Sequence, residues 1–248
     1  MIIKSSRELK SLYNKLSPGD IFLGTLTYRH LKQSVLIDLL ERGICCYPSP
    51  LSQTLNNSKA AQALVLKKWM LPHTYTITRR TDLIDTINHY NRLGIGPVVT
   101  KEDHMHCGHG IRKWDSVEAL YSLVALSKDS YPFVIQPFLE NFTDVRVIIV
   151  GDYLEAYERY NPHNFRMNIG SGGKYRAYEL DKDKEHFCRQ AMRRGKFPFA
   201  HLDLHVIGKG KYYLSEIALH SGIKGAHINR KELEQKKQAL LENMADAT

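Results

Sequence analysis

The chain contains no apolar run of the roughly 18–20 residues needed to cross a bilayer, so no transmembrane helix is expected. Its start, Met1-Ile2-Ile3-Lys4-Ser5-Ser6-Arg7-Glu8, lacks the apolar core of a secretory signal. Cysteine is scarce. Cys45, Cys46, Cys107 and Cys188 show no framework spacing, and the adjacent Cys45 and Cys46 are poor partners for each other. A reducing, cytoplasmic setting is therefore the expectation. There is no internal repeat, no long low-complexity tract, no zinc-finger or RNP-type pattern, and no Ser/His/Asp or Cys/His nucleophile signature. His104, His106, Cys107 and His109 crowd one short stretch, but packing that dense cannot readily supply four tetrahedral zinc ligands. Acid is in deficit: 26 Asp and Glu stand against 35 Lys and Arg, a formal net charge of +9. Such a balance suits an anionic partner: nucleic acid, an acidic polypeptide or nucleoside phosphates. The basic residues are scattered, and the densest groups, Lys67-Lys68, Arg79-Arg80 and Arg193-Arg194, are short. A basic nucleic-acid-binding module is thus the lesser alternative, resting on net charge alone.

What is present is ordinary globular composition, 43% hydrophobic and 25% charged over 248 residues, enough for one large domain or two small ones. Ser5-x-x-Glu8 is a capping box, and Leu9, Leu12, Tyr13 and Leu16 follow at helical spacing, so residues 6–16 read as an amphipathic helix. Strands at 21–26 and 44–47 flank a helix at 31–41. The polar stretch 48–57 reads as a linker. A second unit carries helices at 59–71 and 81–90, strands at 75–78 and 96–101, a His/Gly-rich loop at 102–110, and a helix capped by Asp115-x-x-Glu118. A strand at 133–138 follows. Gly151-Asp152 joins strands 144–150 and 153–160 as a hairpin. Its alternation puts Val145, Val147, Ile149, Leu154 and Ala156 in the core and turns Arg146, Tyr157 and Arg159 toward a cleft. Arg146 and Arg159 are equally placed to be cross-strand partners of Asp144 and Glu155. A glycine-bearing loop at 161–174, a helix near 182–194 and a charged C-terminal helix from Arg230 complete the chain, the last with Leu233, Leu240, Leu241 and Met244 as its apolar stripe.

The most informative segment is the hairpin at 199–217. With Lys209-Gly210 as a two-residue loop, residue 208 pairs with 211, and Asp203 faces Glu216 on one side of the sheet. Directly opposed like charges destabilise a sheet. A divalent cation turns that cost into a gain, because hard cations take carboxylate oxygens. With a three-residue loop the register slips by one, and the two carboxylates point to opposite faces.

Taken in order, these pieces resemble the ATP-grasp enzymes, nearest to the RimK-type (alpha-glutamate ligase-like) carboxylate–amine ligases, over roughly residues 58–229. Ser58-Lys59 with its helix and Leu71-Pro72-His73-Thr74 resemble the family's opening lysine and strand. Val98-Val99-Thr100-Lys101 with Gly108-His109-Gly110-Ile111 resemble its second lysine and glycine-rich flap. Gln136-Pro137-Phe138-Leu139 resembles the adenine-binding hinge. Asp144-Val145-Arg146, Glu158-Arg159, Phe165-Arg166-Met167-Asn168 and Gly172-Gly173 form the longest match. His201-Leu202-Asp203 and Leu214-Ser215-Glu216 resemble the two metal-binding strands.

The resemblance implies an α/β ATP-grasp fold: a short N-terminal α/β unit at 1–57, a small lobe at 58–132, and a large lobe at 133–248 with the metal-binding hairpin and C-terminal helix. It implies ATP and Mg²⁺ as cofactors, with Lys59, Lys101, Gly108, Gly110, Gln136, Phe138 and Leu139 binding nucleotide. Arg146, Arg159 and Arg166 would act on the transferring phosphate, and Asp203 and Glu216 would hold the metal. The implied reaction joins a small-molecule or peptide carboxylate to an amine through an acyl-phosphate. A kinase or a degenerate nucleotide-binding regulator of the same fold is the alternative. It is favoured by Ala218, which stands where the family usually has a metal-completing Asn; His220 is the nearest candidate to substitute.

Overall fold

The computed structural model describes residues 1–28, 30–105, 109–126, 131–208 and 210–247. Gly108, His106 and Cys107, singled out above, lie outside the described residues.

Strand β1 (Ile2–Ile3), helix α1 (Ser6–Leu12), β2 (Ile21–Leu23), α2 (Lys32–Glu41) and β3 (Cys45–Tyr47) build a parallel three-stranded sheet in the order β1-β2-β3. Ile3, Leu9, Phe22, Leu36 and Leu39 pack its own small core. Ser5 caps α1 as expected, accepting from the Glu8 N–H. The stretch 48–57 is not a linker. It forms helix α3 (Pro50–Leu55), whose N-cap is Ser49 and whose first residue is Pro50. That pairing is itself a helix-start signal, since proline at the first position gives up no needed N–H. Gln53 makes the segment part of the core: its fully buried amide accepts from the Leu26 N–H and donates to the Gly24 and Pro48 carbonyls.

Helix α4 (Lys59–Val65) leads to β4 (Tyr75–Ile77), α5 (Arg80–Leu93), β5 (Val98–Glu102), β6 (Ile111–Trp114), α6 (Val117–Val124) and β7 (Phe133–Pro137). Their four-stranded antiparallel sheet has the order β4-β7-β5-β6. Strand β6, beyond the expected 102–110 loop and not itself foreseen, pairs Ile111 and its neighbours with β5. The cap of α6 is Ser116, which accepts from the Ala119 N–H, and not Asp115. Strand β7 belongs to this sheet, pairing with β4 and β5, so the four-stranded sheet reaches residue 137.

Strands β8 (Thr143–Val150), β9 (Tyr153–Tyr160), β10 (Lys174–Ala177), β11 (Phe199–Ile207) and β12 (Lys211–Ala218) form a five-stranded antiparallel sheet in the order β10-β9-β8-β11-β12. Helices α7 (Lys182–Gly195) and α8 (Arg230–Asp246) complete this part. The β8–β9 register is the one the Gly151-Asp152 turn dictates: Asp144 pairs with Arg159, Val147 with Ala156 and Ile149 with Leu154. Val145, Val147, Ile149, Leu202 and Leu204 are buried on one face. Arg146, Tyr157, Arg159, Asp203 and His205 look out from the other, into a cavity. Strand β10, exposed throughout, carries no apolar alternation and was not expected.

The β11–β12 hairpin combines both registers weighed for it. Ile207 pairs with Lys211 across three residues, and the pairs up to Leu204–Leu214 keep that register. A bulge then intervenes, and Asp203 pairs with Glu216. The longer loop is therefore correct, and the two acids nevertheless share a face.

Candidate active site

A cavity of about 540 Å³ lies between the four-stranded and five-stranded sheets. Strands β5, β6 and β7 supply Val99, Lys101, Ile111 and Gln136. The opposite sheet supplies Asp144, Arg146, Arg159, Asp203 and Glu216, and Phe138, Leu139, Phe165 and Arg166 close one end. Nine of the residues expected to bind nucleotide, phosphate or metal thus meet in one place: Lys101, Gln136, Phe138, Leu139, Arg146, Arg159, Arg166, Asp203 and Glu216. Lys59 and Gly110 do not line it. The Lys59 ammonium donates to the Met105 carbonyl and stands 4.0 Å from the Glu216 carboxylate, at the rim. Gly110 is required for space, since a Cβ there would come within 2.7 Å of Met105 Cβ.

The floor of the cavity is a buried charge cluster. Alternation on β8, β9 and β11 aims four side chains at one another. Arg146 binds Asp203 through two parallel bonds, Nε to Oδ1 at 2.7 Å and Nη2 to Oδ2 at 2.8 Å. Arg159 bridges Asp203 at 3.0 Å and Asp144 at 2.8 Å. Such forked guanidinium–carboxylate bonds are among the strongest available to a protein. Burial opposes ionisation of Asp203, but Arg146 and then Arg159 outweigh it and hold the carboxyl below the ordinary range. Asp144 is driven the other way, chiefly by burial, with the Arg159 charge opposing. Of the cross-strand partners considered from sequence, Asp144 takes Arg159. Glu155 instead accepts from the Tyr153 hydroxyl and the His227 N–H.

The facing sheet offers a cation. Lys101 is buried, and its ammonium donates to the Ser215 carbonyl at 3.1 Å and the Ser215 hydroxyl at 3.0 Å. Burial lowers its pKa to about 8 against the pull of Glu216. At the opposite end, Phe138 lies beneath the Lys113 ammonium, 4.0 Å from its ring centroid, and edge-on to Phe165 at 6.1 Å. Arg166 lies over the Phe165 ring and donates to the Ile111 carbonyl at 2.6 Å, so the 161–173 loop is strapped to the facing sheet.

Sequence reading missed three residues here. Asp144 was quoted in a family motif and as a pairing partner but given no role at the site. Ser215 carries no signal apart from the bulge. His205 lines the cavity, its ring tilted against Phe142 with centroids 4.3 Å apart, and burial with Lys101 nearby lowers its pKa to about 3. The two-residue alternation from Asp203 would have found it. His220 lies beyond the end of β12. Its Nδ1 is 3.5 Å from the Lys237 ammonium and its ring is edge-on to Phe199.

Among the described residues no group of three or more His, Cys, Asp or Glu gathers to hold a metal. The two opposed carboxylates are Asp203, whose oxygens already accept from Arg146 and Arg159, and Glu216, which carries no such bond among the described residues. Mg²⁺ is commonly held by one or two carboxylates, with phosphate oxygens and water as the remaining ligands, so the pair would suffice for it.

Two sheets closing on a cavity, acids and arginines on one wall and a buried lysine on the other, define the ATP-grasp fold. The RimK-like ATP-grasp domain profile matches residues 54–238, and the chain belongs to that family. Solved ATP-grasp structures share the fold. The ligase PsnB complexed with a phosphomimetic variant of its minimal precursor, Mg and ADP superposes with a TM-score of 0.59 at 20% identity, covering 86% of this chain and 66% of that one. D-alanine–D-alanine ligase from Bacillus anthracis complexed with ATP gives 0.63 at 17% identity, covering 98% and 82%. The ADP complex of N5-carboxyaminoimidazole ribonucleotide synthetase gives 0.66 at 11% identity, covering 96% and 64%. This chain thus spans about two thirds of that PsnB chain. No curated protein sequence matches it. No helix among the described residues is long and apolar enough to cross a membrane.

Proposed function

We propose that the protein is an ATP-dependent carboxylate–amine ligase acting on a small-molecule or peptide carboxylate, in the cytoplasm. One observation carries the reading: opposed acids and a buried lysine converge on a single cavity between two sheets. A nucleoside triphosphate is a dense anion, and Lys101 with Lys59 at the rim would neutralise its phosphates as point charges. Gln136, Phe138 and Leu139 would take the base among backbone groups and apolar surface. Asp203 and Glu216 would hold Mg²⁺, which when bound supplies charge neutralisation and a template for the phosphates. The lobes in this reading are the sheets either side of the cavity, with residues 1–57 as the smaller unit.

In the first half-reaction a substrate carboxylate oxygen attacks the γ-phosphorus. The bond to the β-phosphate oxygen breaks, and ADP leaves with that electron pair. In the second, an amine attacks the acyl-phosphate carbon, phosphate departs, and the amine gives up a proton as the amide forms. Arg146, Arg159 and Arg166 would stabilise charge on the transferring group, which is positioning and electrostatics rather than covalent catalysis. No side-chain nucleophile is needed, in keeping with the absence of a nucleophile signature.

The test is ADP release with Mg²⁺, measured with and without panels of carboxylates and amines. Release that needs both substrates supports ligation. Release with a carboxylate or alcohol alone, leaving a stable phosphorylated product, would make the protein a kinase.

A further inference from the structure

Ser215 is the extra residue of the β11–β12 ladder. Between the pairs Leu204–Leu214 and Asp203–Glu216, one step along β11 is matched by two along β12. Continued without interruption, the register leaving the turn would set Ser215 opposite Asp203. Glu216 would then lie opposite Leu202, which is fully buried on the core face. The bulge reverses this. Glu216 reaches the cavity face, and Ile217, with no exposed surface, takes the place beside Leu202. A bulge also leaves its extra residue out of the regular ladder. Both oxygens of Ser215 are used from across the cavity: the Lys101 ammonium bonds its carbonyl at 3.1 Å and its hydroxyl at 3.0 Å. One residue thus sets the side on which an acid emerges and the place where a buried cation sits.

We propose that Ser215 is a positioning residue for the phosphate-binding end of the cavity, seating Lys101 through its hydroxyl and carbonyl while its extra place in the strand turns Glu216 toward the same point. This rests on the nucleotide reading of the cavity. A lysine has four rotatable carbon segments, and an ammonium held by two acceptors of known position meets an incoming phosphate already aimed. Lys101 is anchored by neutral oxygens rather than by a carboxylate, so its charge stays available to a ligand. The effect of Ser215 is exerted through Lys101, and Ser215 itself need not touch the reacting groups.

The experiment is titration calorimetry of the full chain with a non-hydrolysable ATP analogue and Mg²⁺. The proteins compared are the wild type, Ser215→Ala, Ser215→Thr, Lys101→Ala and the Ser215→Ala/Lys101→Ala double variant. Loss of a hydrogen bond to a charged group predicts about tenfold weaker binding for Ser215→Ala. Threonine keeps the hydroxyl, and Ser215→Thr should return to within about twofold of wild type, while the double variant binds no more weakly than Lys101→Ala alone. A merely structural serine would lower the melting temperature and add its loss to that of Lys101→Ala. Such additivity, wild-type affinity in Ser215→Ala, or a threonine variant as weak as alanine overturns the role of Ser215 and leaves the nucleotide site standing. A wild type that binds no analogue overturns both.

Discussion

The two walls of the cavity handle charge in opposite ways. On the five-stranded sheet, Asp144, Arg146, Arg159 and Asp203 satisfy one another in a buried, hydrogen-bonded cluster of two cations and two anions. On the four-stranded sheet, Lys101 is equally buried but is met only by the neutral oxygens of Ser215. The first wall balances its charge internally, although the buried Arg159 Nε has no hydrogen-bond partner among the described residues. The second keeps a cation out of water with no counter-charge bonded to it, and burial accordingly depresses its pKa. A charge-balanced cluster contributes rigidity; an incompletely neutralised cation contributes affinity for an anion. The four-stranded wall should therefore govern ligand binding, and the five-stranded wall should also govern stability.

The sharpest break of this comparison is Lys101→Ala or Glu216→Ala. Each should reduce ATP turnover by about 10²–10³-fold or more, followed as ADP release, with the circular dichroism of the fold unchanged. Near-normal turnover in both variants would reject the site assignment. Next is Asp144→Ala, which leaves Arg159 with only Asp203 as its buried partner. Breaking a buried pair by removing one member costs about 3–5 kcal/mol, read as a shift in urea midpoint. A loss under about 1 kcal/mol would mean that the cluster behaves like a surface one.

A smaller effect is pH-dependent. Lys101 faces Glu216, Lys59, Asp203 and Asp144, and its pKa lies at about 8 against an ordinary 10.5. Its charged form binds phosphate, so affinity for the ATP analogue should fall as pH rises through about 8. Stability should move the other way. Between about 8 and 10.5 the unfolded chain holds the proton that the folded one has lost, so this lysine's contribution increases with pH. Calorimetry and thermal melts across pH 7–10 would show the two opposite slopes, and parallel slopes would contradict the assignment. The smallest effect belongs to Arg176→Ala. Its bonds to Glu158 at 2.8 and 2.9 Å match those of Arg159 in length, but the side chain is largely exposed. No measurable change in melting temperature is expected, and a large drop would show that exposure does not separate the two arginines.

Much of this was legible from residue patterns, and the rest was not, for local reasons. Gly151-Asp152 is a tight turn, and a tight turn sets the register of both arms. The inward set Arg146, Tyr157 and Arg159 could therefore be read directly. Lys101, Gln136, Phe138 and Arg166 were found only because their motifs stand in family order; nothing in their spacing brings them together. Strand β10 escaped notice because it is an exposed edge without apolar alternation. Helix α3 escaped because buried polar Ser52, bonded locally to Ser49, and Gln53, bonded to the distant Gly24 and Leu26 backbone, look like linker residues in sequence.

By itself the sequence determined most of the regular elements, the alternation that sends charge to one face of β8, β9 and β11, and the absence of any membrane-length apolar run. These follow from contacts a few residues apart, where turn geometry and side-chain periodicity suffice. Tertiary structure alone decided that β7 joins the four-stranded sheet, that Asp203 is held by Arg146 and Arg159, and that a bulge at Ser215 brings Glu216 round to face it. Those outcomes depend on pairings between distant strands, where one inserted residue reverses a face and where a buried charge must take whatever partner the opposite strand presents.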